Sequence, residues 1–360
     1  MRSWLRRFQK LIREGRPDVA THALYIISTL GSPPRENKDR SPAYRIPASD
    51  SLFITIERFV IAEVMREKSK TWHRCVIATL DIFFDVCKDT CLVSTRLVAR
   101  LVWAALRLLR SLMYYGSHEM HEEDEKEWST VQDRHKYVES LWCKLMERIC
   151  AIVGDMAVKF LVHSDVTFVR EMLRLREQML AEDGPAPLDV SDRALRDWEI
   201  RSALQKGIFD WVDPDQQNIT GYNEEERIRN RSQAISEIRL IRPHRLLGRL
   251  FPLVVHCCRS RNTPSNIRNA AVTALAKFML VSPAVASKAA RTFFAMLNNS
   301  PDPVLRNNLV VACADLTFRH PNLVEKYAGC LYSELHDPSS CVRETCMLIL
   351  THLIGRDLLK

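Results

Sequence analysis

Several features that would point to an enzyme or a membrane protein are missing from this sequence of 360 residues. No apolar run reaches the length of about 20 residues that a helix needs to cross a bilayer. The sequence has no glycine-rich phosphate loop, no Gly-x-Ser-x-Gly nucleophile turn and no paired carboxylates on regular elements. These absences predict a protein without catalytic activity of its own.

The eleven cysteines lack the spacings of a metal site or a disulfide framework. No Cys-x-x-Cys pair occurs, so tetrahedral zinc is not expected, and most cysteines are interpreted as small core residues in a reducing compartment. His118 and His121 lie in an acidic run, which leaves a metal-dependent enzyme as one alternative. Their spacing of three differs from the His-Glu-x-x-His pattern of zinc proteases. We therefore predict an exposed acidic loop there, with no metal and no cofactor.

Glycine is also scarce, at 10 residues, whereas apolar residues make up 46% of the chain. Such a composition can bury a core and is not that of a broadly disordered protein. The net charge of +8 suits an anionic partner. Charge alone, however, does not determine a fold.

What the sequence does contain is a repeat in its C-terminal hundred residues. Arg268, Arg306 and Arg343 each follow a branched apolar residue and lie 38 and 37 positions apart. Each opens an apolar pattern with helical spacing, and Pro283 and Pro321 follow where one helix would end and the next begin. Two helices in about 37 to 38 residues, without a strand signal, are typical of a helical-hairpin solenoid. We predict an all-α HEAT-repeat α-solenoid of stacked antiparallel helix hairpins.

The Asp-Pro pairs at 302–303 and 337–338, each shortly before a repeat arginine, also match the HEAT unit. Because the three arginines occupy one place in every unit, we predict a structural role for them, with each side chain bonding across hairpins. The side chains predicted to be buried between hairpins are Leu275, Phe278, Leu309, Leu316 and Leu350.

Three strings in this region carry a closer resemblance: IRNAAVTALAKFMLVSP, SPDPVLRNNLVVACADLTFRHPNLVEKY and LYSELHDPSSCVRETCMLILTHLI. They resemble the core of the condensin complex subunit 1 family, the large HEAT-repeat, non-SMC subunit of condensin I. The string ICAIVGDMAVKFLVHSDV at 149–166 resembles the segment that precedes this core. Family members are much longer, so the resemblance implies an internal piece, a truncated gene model or a strongly shortened relative. The ALAKFM and HPNLVE strings favour condensin I over the equivalent condensin II subunit.

The resemblance implies a non-catalytic scaffold in mitotic chromosome condensation during cell division. Its implied partners are the kleisin subunit, the SMC ATPase subunits of condensin and double-stranded DNA or chromatin, with no membrane. Its implied locations are the nucleus and chromosomes, with the cytoplasm in interphase. The alternatives are a HEAT-repeat adaptor or transport protein that binds peptides without DNA contact, and the condensin II subunit.

Breaks in composition divide the chain. The first helix is amphipathic and arginine-rich, as organelle presequences are, but we interpret it as an ordinary amphipathic helix. The predicted segments are an N-terminal helical hairpin (1–30), a linker (31–50), a helical repeat region (51–180) with an acidic loop at 116–134, a variable, partly disordered insertion (181–226), and the HEAT repeats (227–360).

Positive charge concentrates before the repeats. Arg242, Arg245 and Arg249 fall at spacings of three and four, so they share one helix face, with leucines on the other. No aromatic residue interleaves with them on that face, which favours sequence-independent phosphate contact over base stacking. The alternatives are a solvated basic face and pairing with the acids at 224–226. The candidate nucleic-acid residues are Arg239, Arg242, Arg245, Arg249, Arg259, Arg261, Lys277, Lys288 and Arg291.

Overall fold

The computed structural model describes residues 2–14, 17–31, 46–116, 125–163, 245–260 and 262–358. Of these described residues 87% are helical and none belongs to a strand, which confirms the predicted all-α fold. The described chain forms two compact units. The first contains residues up to 145 together with 162–163, and the second contains 146–161 together with the residues from 245 onward.

The first unit is a set of packed helices joined by short loops. Helix α1 contacts α2 and α3, α2 contacts α4, and α5 packs on both α3 and α4. Phe53 and Phe83 meet edge to face in the core, with ring centroids 6.1 Å apart. The helices are α1 (Arg2–Glu14), α2 (Pro17–Gly31), α3 (Ser51–Met65), α4 (Trp72–Val86), α5 (Thr90–Gly116) and α6 (Glu125–Val162), the last of which contributes to both units.

One buried carboxylate fixes α5 against α3. Glu57 of α3 is fully buried, and burying a charge is costly unless it is paired. Arg96 Nε donates to Glu57 Oε1 at 2.7 Å, and Arg100 Nη1 lies 3.0 Å from Glu57 Oε2. Both arginines come from the first half of α5. Both arginines are therefore paired with an acidic side chain of the same unit.

The predicted acidic loop at 116–134 is shorter than expected. Helix α5 continues to Gly116 and α6 already begins at Glu125, so 125–134 are helical. These ten residues include Glu, Lys, Gln and Arg, which are good helix formers, and charge alone does not prevent a helix. Residues 117–124, with both histidines of the rejected metal site, lie outside the described residues, as do 32–45 of the predicted linker.

The second unit contains three helical hairpins in two layers. We call α7, α9 and α11–α12 the A layer and α8, α10 and α13 the B layer, because α8 contacts α10 and α10 contacts α13. The first hairpin is α7 (Leu246–Arg259) with α8 (Ser265–Val281), and the second is α9 (Pro283–Asn299) with α10 (Pro303–Arg319). In the third hairpin, α13 (Ser340–Ile354) pairs with a broken helix. The broken helix consists of α11 (Pro321–Val324), the 3-10 turn Glu325–Tyr327, α12 (Ala328–Ser333) and the 3-10 turn Glu334–His336.

Prolines and polar caps set the helix boundaries. Pro283 and Pro321 each occupy the first turn of the A-layer helix that follows a B-layer helix, as predicted. Asp302 caps α10 by accepting from the Val304 amide at 2.9 Å. All five side chains predicted to lie between hairpins are buried.

The second half of α6 packs on α8, far away in sequence. A Cβ at Gly154 would lie 3.0 Å from Ala274 Cα, so the two helices approach closely because position 154 is glycine. Lys277 Nζ also donates to Asp155 Oδ1 at 2.5 Å. Residues 146–161 therefore belong with the HEAT hairpins, whereas composition had grouped them with 51–180. Residues 164–244, including the predicted insertion, lie outside the described residues.

Candidate nucleic-acid interface

The repeat arginines are structural, and Arg306 is the most enclosed of them. Its Nε and Nη2 donate to Asp337 Oδ2 and Oδ1 at 2.6 and 2.9 Å, and Nη1 donates to the Ser300 carbonyl at 2.6 Å. Both side chains are buried, and this bidentate bond holds the pKa of Asp337 below its ordinary value. The bond links α10 to the next hairpin.

The other two arginines close the loops that precede their own helices. Arg268 Nη2 donates to the carbonyls of Ser260 and Thr263 at 3.0 and 3.1 Å. Arg343 Nη1 donates to the carbonyls of Asp337 and Pro338 at 2.6 and 3.0 Å. The structural role is confirmed, and the bond across hairpins is seen for Arg306.

Asn269 links the first two hairpins. It is next to Arg268, and its Nδ2 donates to Asp302 Oδ2 at 2.9 Å. Asp302 and Asp337 therefore occupy the same place in successive hairpins, each accepting from the preceding B-layer helix.

The candidate phosphate-binding residues divide into groups. Arg239, Arg242 and Arg261 lie outside the described residues. Arg245 is half-buried at the start of α7, and Lys277 is paired with Asp155 in the B layer. The remaining four are exposed on the A layer, and we call them the basic face: Arg249 and Arg259 of α7 with Lys288 and Arg291 of α9.

Acidic residues are absent from the stretch of sequence that carries the basic face. From residue 238 to 301 the sequence contains no Asp or Glu but ten Lys and Arg. Within the described ranges, no ion pair engages any of the four side chains of the basic face. Sequence reasoning predicted the arginines but missed this acid-free interval. The interval can be read directly from the sequence. The missing acids matter because they leave α7 and α9 with basic side chains and no acidic side chain of their own.

An apolar surface on the B layer was also missed by sequence reasoning. Five positions after the repeat arginines stand Thr273, Val311 and Leu348, all exposed, and twelve positions after Arg306 stands exposed Phe318. We call Val311, Phe318 and Leu348 the apolar face. Beside it, α8 and α10 enclose a groove of about 280 Å³, whose lining includes Val272, Ala276, Leu280, Leu309 and Ala312. Spacing alone does not separate a second, exposed apolar stripe from the buried one, so the periodicity of the apolar residues predicts only the core.

The part of the chain that the structure describes gives no sign of a membrane span or a metal site. None of its helices combines the length and the apolar character needed to cross a bilayer. Nor do three or more His, Cys, Asp or Glu side chains gather there as metal ligands would.

The stacked hairpins, their loop-closing arginines and the two chemically different faces define a HEAT-type helical solenoid. Residues 304–360 match the family model described as non-SMC mitotic condensation complex subunit 1. Condensin complex subunit 1 of Caenorhabditis elegans is 30% identical over 100% of this chain and 24% of its own length. The human protein of that name is 30% identical over 60% of this chain and 15% of its own.

Two further relatives match smaller shares of the chain. The Schizosaccharomyces pombe condensin complex subunit 1 is 34% identical over 38% of this chain and 12% of its own length. The mouse condensin-2 complex subunit D3 is 29% identical over a smaller share, 28% of this chain and 7% of its own. The chain belongs to the condensin complex subunit 1 family. It spans about a quarter of the length of the C. elegans relative.

Proposed function

We propose that the chain is part of a non-catalytic scaffold subunit of condensin, and that its basic face contacts the phosphate backbone of double-stranded DNA. The observation that carries the proposal is four exposed cations on the A-layer helices α7 and α9, inside 64 residues that contain no acid. Family membership supplies the context. The kleisin and SMC ATPase subunits are its further partners, and the nucleus and chromosomes are its location.

The chemistry of the basic face favours sequence-independent contact. Arg249 and Arg259 are separated by about 15 Å along α7, at about 1.5 Å of rise per residue. Duplex DNA carries one charge per about 1.7 Å of its axis, so several phosphates lie within that span. Lysine and arginine contacts to phosphate position a protein on the duplex without reading its bases.

Charge reversal tests this function. We expect R249E/R259E and K288E/R291E each to weaken binding of a fluorescent 30-base-pair duplex and to reduce the slope of log K against log salt. The reduction is about 0.9 for each phosphate that the variant no longer neutralises, so up to about 1.8 for each pair. The matched control R107E/R110E reverses two exposed arginines of α5 in the first unit. Unchanged slopes in both folded basic-face variants would reject the proposal.

A second function, binding of an extended protein segment, is favoured by the apolar face and its groove. Solenoids bind partners along such repeated surfaces, and the kleisin subunit is the segment that condensin membership suggests. Burial of apolar side chains gives affinity that depends weakly on salt, unlike phosphate contact.

The two functions are separable. We expect V311D/L348D to reduce co-purification with the kleisin subunit while duplex binding keeps its salt slope. The control S287D places an added charge on the A layer instead. Equal retention of kleisin by V311D/L348D and S287D would remove this face from consideration.

A further inference from the structure

Helix α5 of the first unit exposes a row of large apolar side chains on one side. Trp103, Leu106 and Met113 are 66%, 53% and 65% exposed. The opposite side of the helix, which includes Leu97 and Leu101, is buried against α3 and α4. Single exposed apolar residues are ordinary on protein surfaces, but an exposed row along one helix marks an interaction site.

The second half of α5 has fewer buried residues than the first. Helix α5 has 27 residues, whereas α3 and α4 have 15 each. Beyond Ala105, no residue from 106 to 113 is buried. Leu108, Leu109 and Leu112 are only half-buried, so this half-helix offers apolar area on more than one line.

Two arginines accompany this row, and they differ from the arginines earlier in the same helix. By helical period, Arg110 lies in the row, seven positions after Trp103, and Arg107 lies beside it. The helix carries four arginines and no acidic residue. Arg96 and Arg100 are paired with buried Glu57. Arg107 and Arg110 are exposed, and no acidic side chain among the described residues pairs with either. Within the described residues of the first unit, the two charges beside the apolar side chains therefore have no acidic partner.

We propose that this half-helix, which we call the α5 ledge and define by Trp103, Leu106, Arg107, Arg110 and Met113, binds an amphipathic helix of a partner protein with acidic residues beside its apolar stripe. The ledge is about 15 Å long, or about three helical turns, at about 1.5 Å per residue. Helices bind apolar surfaces through anchors at such spacings, and Trp and Arg are the residues that dominate binding energy. Arginine bonds carboxylates in a bidentate geometry, which selects an acidic partner.

Two other classes of ligand fit the ledge less well. Single-stranded nucleic acid is bound by stacking bases on aromatic rings, but Leu106 and Met113 are aliphatic and Trp103 is the single ring in the row. A helix that lies in a membrane surface needs a wide apolar face. The exposed side of α5 carries Arg107 and Arg110 among Trp103, Leu106 and Met113, so its apolar face is not wide. A protein helix needs only a narrow apolar row.

The test uses three synthetic 16-residue helical peptides with the full chain. All carry the same leucine and tryptophan content: the first has glutamates beside its apolar stripe, the second has lysines there, and the third is a scramble of the first. Binding is followed by fluorescence anisotropy at physiological salt. We expect the glutamate peptide to bind at least about tenfold more tightly than the other two.

Variants locate the binding. We expect W103A and M113A to weaken binding of the glutamate peptide about tenfold, and R107E/R110E to reverse the preference toward the lysine peptide. The matched control R249E/R259E, which removes two positive charges from the second unit, leaves the glutamate peptide bound as in wild type. All four variants change exposed positions only, and circular dichroism checks that each variant is folded.

Three results would overturn the proposal. The scrambled peptide could bind as tightly as the glutamate peptide, or R107E/R110E could keep the wild-type preference. The third result is that vesicles of phosphatidylcholine with 30% phosphatidylserine bind through Trp103 while no peptide is discriminated, which would assign the ledge to a lipid surface. DNA binding is a separate property, because the basic face is intact in every ledge variant.

Discussion

The buried bond between Arg306 and Asp337 is expected to be the strongest single link between successive hairpins. The substitution R306M retains much of the apolar stem but removes all three donors that Arg306 uses. It leaves the Asp337 carboxylate without its bidentate partner and the Ser300 carbonyl without its donor. The apolar stem stays in place, so the result measures the bond rather than packing.

The size of the loss follows from burial. Breaking a buried ion pair by removing one partner costs about 3–5 kcal/mol, because the remaining charge stays buried. Asp337 Oδ1 still accepts from the Ser339 amide at 2.7 Å, so we expect a loss of about 3 kcal/mol. R343M is the matched control: Arg343 is exposed, and water can replace its two carbonyl bonds. We expect it to cost about 1 kcal/mol. A double-mutant cycle with D337N should give a coupling energy of about 2 kcal/mol.

Hydrogen exchange is the appropriate measurement, because a chain with two units need not unfold in one step. The opening free energies of amides in α10 and α13 report directly on the link between these hairpins. Equal losses for R306M and R343M would refute the reasoning. So would a coupling energy below about 0.5 kcal/mol, since the bond would then be no stronger than a typical surface ion pair.

Three further predictions concern the second unit. Burial raises the pKa of Glu334 to about 7 from the ordinary 4.5, so the folded chain holds this proton more tightly than the unfolded chain and loses stability as pH rises between those values. The difference in melting temperature between E334Q and wild type should therefore shift in favour of E334Q when the pH is raised from 5 to 8. L316A should lower the opening free energy of α10 amides in hydrogen exchange by about 2–5 kcal/mol, and L350A should lower that of α13 amides by less, because no described helix covers the outer side of α13. Equal losses would contradict this. G154A should destabilise the packing of α6 on α8, whereas G329A should stabilise its helix by up to about 1 kcal/mol, because the position has open space around it and alanine has the higher helix propensity. Thermal unfolding of both variants tests this, and a raised melting temperature for both would be inconsistent with the close approach at Gly154.

The clearest limit of periodicity is seen at one repeated position. Val272, Val310 and Met347 each follow a repeat arginine by four residues, and the first two are buried. Met347 is 57% exposed, because within the described chain no further B-layer helix packs on α13 as α10 packs on α8. Equivalent places in a repeat share a local conformation. They share a burial state only where they also share neighbours.

The amino-acid sequence by itself determined the properties that depend on short separations along the chain. The spacing of the arginines, the helical period of the apolar residues and the prolines after α8 and α10 specified hairpins of about 37 residues, and they specified the buried leucines and Phe278. The acid-free interval that contains α7 and α9 is likewise a property of the sequence alone.

Only the tertiary structure decided which distant residues meet. It paired Lys277 with Asp155 across 122 positions, which removed one predicted phosphate ligand from the basic face. It grouped residues 146–161 with the HEAT hairpins and left Arg107 and Arg110 of α5 exposed while Arg96 and Arg100 were paired with Glu57. Helical period reports which residues lie on one side of a helix, but the partner that covers that side is set by packing between elements far apart in the chain.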